Sequence, residues 1–202
     1  MNRISPRLLA VLLSLITLAS VTPALHAEDA ADHTAPSYDM KAQALVDLET
    51  MQKKFVDLAS ALPADKLTWR PSADSRSFAE VFLHVSSERY GILSLMGAET
   101  PAGIDRKGLE KSTTDRARIV EELNKSWEFA KKAIEGMSNA DFAKLLPKLG
   151  PQANAGDVVY ILVADNHEHL GQSIAYAREN GIVPPWTVAA EKAAAEKNAE
   201  KK

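Results

Sequence analysis

The sequence predicts an all-α protein built as a four-helix bundle. Apolar residues recur at spacings of three and four in four long segments, and capping or breaking residues bound each segment. Runs of alternating β-branched residues, the mark of strands, are missing. The roughly 150 residues from 38 to 187 suffice for one domain with a sizeable core.

The chain opens with Asn2, Arg3 and Arg7, then the apolar run Leu8 to Leu18, then small residues around Ala19, Ser20 and Ala24. A positive start, a short apolar centre and a small-residue exit make residues 1–27 a secretory signal, cleaved after Ala27 or Ala24. The run is shorter than the roughly 20 residues a bilayer span needs, so the expectation is a periplasmic or secreted protein that leaves the membrane after cleavage. The absence of cysteine excludes disulfides, thiolate ligands, a Cys nucleophile and a lipidated anchor. Removing Arg3 and Arg7 from the 24 basic residues leaves 22 against 27 acids, a formal charge of −5. Such a surface excludes nucleic acid and anionic lipid as expected partners. Residues 28–37 are polar and aperiodic, a flexible lead-in.

The first helix is expected from about Asp39 to Leu62, with Leu45, Leu48, Met51, Phe55, Leu58 and Leu62 on one face and Pro63 ending it. The second opens at Ser77, which forms a capping box with Glu80, and stops near Gly97. The third starts near Thr114 and Asp115 and buries Ile119, Leu123, Trp127, Ala130 and Ile134 before Gly136. A short helix is expected around Ala140 to Leu146 in the connection that follows. Asp157 opens the fourth helix, which ends at Asn180 and Gly181, and Pro184 and Pro185 forbid its extension. Residues 188–202, rich in Ala, Glu and Lys with no apolar face, form either a frayed helix or a disordered tail.

The fourth helix carries the chemistry. Val158, Leu162, Asp165, His169, Gln172 and Tyr176 follow one face in steps of four and three, and the middle three are polar. Asp165 and His169 stand one turn apart and can converge on one point. A buried carboxylate needs a partner, so a facing helix or an ion must complete the set. His84, in the apolar part of the second helix, is the candidate. His84, Asp165 and His169 make a two-His, one-carboxylate group suited to Zn²⁺ or another divalent first-row ion, with positions left for a further ligand. The competing reading is an internal hydrogen-bonded His84 beside an Asp165–His169 ion pair. His167, about 200° from His169 around the helix, falls on the surface, and Glu168 beside it is a solvated acid or an outer neighbour. His26 and His33 precede the domain and are not site candidates.

"LTWRPSADSRSFAEVFLHVSSERYGIL" and "DNHEHLGQSIAYARENGIVPPW" together resemble the DinB-like superfamily of damage-inducible helical proteins, over about Tyr38 to Trp186. The resemblance implies an up-down-down-up bundle, often a homodimer, with a metal site at one end of the core. Family members commonly supply one His from the second helix and two, four residues apart, from the last. His84 and His169 match the first and third of these. Asp165 stands where the family has His, and a carboxylate there bears on which metal is held. The cofactor implied is a divalent metal, Zn²⁺ or Ni²⁺, and the partner an unidentified small molecule. Superfamily members include transferases that use cytoplasmic thiols, a pool an exported protein does not share. A metal-dependent hydrolase or transferase therefore stands beside a non-catalytic bundle that binds a ligand or partner and keeps a vestigial site. Trp69, Pro71, Gly171 and Trp186 read as packing residues, with Gly171 allowing close helix approach.

Overall fold

The computed structural model of the protein describes residues 39–200. Residues 1–38, with the expected signal over 1–27 and the expected lead-in 28–37 that carries His33, and the last two residues lie outside them. Among the described residues there are seven α-helices, one 3₁₀ turn and no strand, only an isolated antiparallel bridge between Leu145 and Asn154. No described helix is long and apolar enough to cross a membrane.

Helix α1, Met40–Ala61, starts on Asp39, whose carboxylate accepts from the Ala42 amide at 2.9 Å. Leu48, Met51, Phe55, Leu58 and Leu62 are buried as their spacing predicts, while Leu45 is only partly covered. Gln52 is buried among them. A 3₁₀ turn, Ala64–Lys66, follows Pro63. Helix α2, Phe78–Ser94, begins at the capping box of Ser77 and Glu80. Its next free amides are also met, because Phe78 donates to the Trp69 carbonyl and Ala79 to that of Leu67. The helix is covered on nearly all sides, and Gly97, in the left-handed region at φ 96°, turns the chain out of it.

The connection from α2 contains a four-residue helix, α3, Arg106–Leu109. The Arg106 carbonyl accepts from Ser87 Oγ at 3.0 Å, and its guanidinium fills the space a Cβ at Gly91 would need. Helix α4, Arg116–Glu135, is capped by Asp115 and buries all five of its expected apolar residues. The short helix after it, α5, is Asn139–Phe142, ending a turn earlier than the expected Leu146. From there the chain pairs back on itself, Leu146 donating to the Ala153 carbonyl and Ala155 to that of Lys144.

Helix α6, Ala155–Glu179, starts two residues before the expected Asp157. Asn154 is the cap, and Asp157 returns its carboxylate to the Asn154 amide as the third residue of a capping box. Gly181, at φ 69°, ends α6, with Ile182 donating to the Ala177 carbonyl in a Schellman closure. Pro184 and Pro185 do stop that helix, but Pro185 also begins another. Helix α7, Pro185–Ala199, uses it at a first-turn position where a missing amide costs nothing. The frayed or disordered tail is thus helical to Ala199, held by a partly buried Trp186 near α1, with Lys54 Nζ 5.5 Å from its ring.

The long helices pack in a ring, α1 on α4 and α6, and α2 on the same two. Phe78 meets Tyr176, His84 meets His169 and Arg89 meets Asn166, so α2 and α6 run antiparallel. Gln52 meets Asn124 and Lys41 reaches the Met137 carbonyl, so α1 and α4 do too. An aromatic group of Trp69, Phe78, Tyr176, Phe82 and Phe55 closes the end where α2 begins.

Candidate metal centre

The capping box sets the start of α2, and His84 therefore falls about two turns in, facing α6. From α6, Asp165 and His169 come up to meet it. One ligand atom from each of the three lies within 4.8 Å of the others. The two imidazoles stand edge to face at 4.7 Å between centroids, and His169 Nε2 is 3.4 Å from Asp165 Oδ1. All three are largely enclosed: the side chains of His84, Asp165 and His169 are 15%, 17% and 9% exposed.

Each imidazole is held by its other nitrogen. His84 Nδ1 lies 3.1 Å from Glu110 Oε2, and Glu110 is ion-paired in turn with Arg76, whose Nε is 3.0 Å from Oε1. His169 Nδ1 lies 2.9 Å from Gln172 Oε1, whose amide nitrogen donates to the Tyr176 hydroxyl. An acceptor on Nδ1 places the proton there and turns the Nε2 lone pair inward, the arrangement that orients ligating histidines. Asp165 Oδ2 is buried and has no hydrogen-bond partner. A buried carboxylate oxygen left unpaired is costly, and a cation at this point satisfies it. The donor set of two imidazoles and a carboxylate fits a divalent first-row ion.

The two histidines titrate in opposite directions. Burial, then the charges of Arg76 and His169, push His84 below its ordinary 6.5, against Glu88 and Glu110. Burial also pulls His169 down, but hydrogen bonds with Asp165 and Gln172 and the Asp165 charge outweigh it, so its pKa is raised. Of the two rings, His169 therefore holds a proton more tightly than His84. An open cavity of about 560 Å³ reaches the site on the α3 side, past His84, Ser87, Glu88, Arg106 and Glu110. Larger cavities of about 900 and 1110 Å³, on the outer faces of α4 and α1, touch none of His84, Asp165 and His169. The donor geometry, rather than cavity size, locates the chemistry.

Beneath the site lies a second polar group. Arg89 of α2 is fully buried. Its Nε and Nη2 donate to Asn166 Oδ1 at 3.2 and 2.9 Å, and Nη1 donates to Gln52 Oε1 at 2.6 Å, the Leu123 carbonyl and Ser126 Oγ. Every acceptor is neutral. Desolvation draws the guanidinium's pKa down to about 9, and the nearby charge of Asp165 opposes that.

A family model described as the DinB superfamily matches residues 47–173, a span that includes His84, Asp165 and His169. The chain belongs to the DinB superfamily. A DinB-like protein from Bacillus cereus has a similar fold in its crystal structure, with a TM-score of 0.60 at 17% identity, covering 72% of this chain and 93% of its own. No curated protein matches the chain in sequence.

Within this DinB-superfamily chain the three residues singled out by spacing do come together. His167 is on the surface, 3.1 Å from Asp47, and Glu168 is exposed. The expected face of α6 needs one correction. Asn166 and Ser173 are completely buried, while Asp165 and Gln172 sit at its edge, because Arg89 draws the Asn166 acceptor inward. Gly171 is exposed, and a Cβ there meets nothing within 4 Å, so it mediates no close approach. Glu110 and Arg89 were not legible as site neighbours: Glu110 follows an aperiodic loop, and Arg89 stands in the run "SSERYG" like a solvent-facing charge.

Proposed function

We propose that the protein is an exported metal-binding member of the DinB superfamily that holds one divalent ion, Zn²⁺ or Ni²⁺, through His84 Nε2, His169 Nε2 and Asp165. The observation that carries this reading is the convergence of three donor atoms within 4.8 Å, one residue of which keeps a buried, unpartnered oxygen. Glu110 and Gln172 support it by holding the Nδ1 atoms. A divalent ion with three protein ligands acts as a Lewis acid and has room for a further ligand, which fits a hydrolase or transferase. A small molecule would enter through the cavity bounded by His84, Ser87 and Glu110.

The antiparallel pairs α1–α4 and α2–α6, with Gln52 against Arg89 and Phe55 against Phe82 running α1 opposite to α2, support the up-down-down-up order. Export rests on the signal in residues 1–27, and a homodimer on family resemblance. A non-catalytic bundle with a vestigial site has one point in its favour: Asp165 and His169 partly neutralise each other at 3.4 Å without an ion. Asp165 Oδ2 weighs against it.

Elemental analysis of untagged protein, after Zn²⁺ or Ni²⁺ supplementation and dialysis, tests the reading. One ion per chain is expected, lost in His169→Ala and His84→Ala. A parent protein that retains no ion under these conditions refutes it.

A further inference from the structure

The buried guanidinium beneath the ligands has no role in the function proposed above. Arg89 spans three helices at once, through Gln52 on α1, Leu123 and Ser126 on α4, and Asn166 on α6. Its two bonds to the single Oδ1 of Asn166 pin one point of α6, and Asn166 Nδ2 closes back on the Leu162 carbonyl at 2.9 Å. At about 100° per residue, Asp165 lies about 100° to one side of that point and His169 about 60° to the same side. Both ligands are therefore placed by one anchor, and a turn of α6 by a single residue step carries both away from His84. The side chain itself touches no ligand.

We infer that Arg89 and Asn166 form a positioning clamp that sets the rotation of α6, so that Asp165 and His169 face His84. The inference rests on the metal-binding reading for its purpose, but its geometry is testable without a metal. Asn166→Ala removes both bonds and leaves the Arg89 charge in place. Arg89→Lys keeps the charge and cannot reach α1 and α6 together. Asn166→Asp keeps the Oδ1 acceptor and serves as the rescue variant.

In metal-free protein, nuclear Overhauser contacts between the ring protons of His84 and His169, expected from their 4.7 Å separation, report the facing geometry directly. They should be present in the parent and Asn166→Asp, and lost in Asn166→Ala and Arg89→Lys while helical circular dichroism persists. In Co²⁺-loaded protein, the ligand-field spectrum should change in the same two variants and Zn²⁺ affinity should fall about 10–100-fold, as for other residues that orient ligands. If Asn166→Ala does not fold, Asn166→Ser, which also breaks the fork, takes its place. A folded variant that keeps the ring contacts overturns the clamp. A parent that shows the contacts but binds neither Zn²⁺ nor Co²⁺ overturns the metal reading alone.

Discussion

Acidification is expected to weaken Zn²⁺ binding in two stages. An ion at Nε2 of His84 and His169 competes with protons at both, but the two rings do not hold protons equally. His169 has a raised pKa because hydrogen bonds with Asp165 and Gln172 and the Asp165 charge outweigh its burial. His84 has a lowered one because burial and the Arg76 and His169 charges outweigh Glu110. As pH falls from neutrality, His169 takes its proton first, above 6.5, and each further unit then costs about tenfold in affinity, or about 1.4 kcal/mol. Below 6.5 His84 joins, and the fall steepens to about a hundredfold per unit. Chelator competition between pH 5 and 8, with calorimetry in buffers of different ionisation heat, reads both the slope and the protons released. Asp165→Asn removes the charge that raises His169, so the first stage should move to lower pH. A parent protein in which both protons are displaced over one common interval, with a slope of two from the onset, refutes the assignment of unequal rings.

Three further outcomes follow from the same contacts. Glu110→Ala frees His84 Nδ1 and should lower Zn²⁺ affinity about 10–100-fold with little loss of helix, as measured by chelator competition beside circular dichroism. Gln52→Leu strips the buried guanidinium of its shortest bond and should cost about 1.5–3 kcal/mol in urea unfolding, whereas the triple Arg89→Met, Gln52→Leu, Asn166→Leu replaces the polar group wholesale and should recover most of that loss. Ser77→Ala removes the side-chain cap of α2 and should cost about 1 kcal/mol by the same assay, leaving metal stoichiometry intact.

The long helices were readable because their stability comes from a stripe facing one core, and a stripe leaves a period in the chain. α4 shows this most clearly, with Ile119, Leu123, Trp127, Ala130 and Ile134 all buried. The start of α6 differs from the expected Asp157 because Asp157 and Asn154 both suit a cap, and only the backbone decides which one stays outside the first turn. The sequence does not decide α7, because Ala, Glu and Lys favour a helix without requiring it, and none of its residues is buried. Among the three site residues, His84 and His169 are conspicuous as imidazoles within apolar runs, and Asp165 by its place one turn before His169. Glu110 left no trace, since a loop residue reaches its partner through a path that no periodicity records. Arg89 was invisible for a different reason: nothing in its neighbours distinguishes a cation meant for water from one whose acceptors come from three separate helices.

That last residue ties the melting of those helices together. A helix that peeled away alone would strand a charge in hydrocarbon, stripped of acceptors and still out of reach of water, so partial opening is penalised more heavily than its lost apolar contacts imply. Amide protons around Gln52, Leu123 and Asn166 should accordingly exchange with solvent at one common, slow rate set by whole-domain opening. If the proposed site holds an ion, the ion can thus come and go through the mouth of the site, without loosening the floor on which it stands.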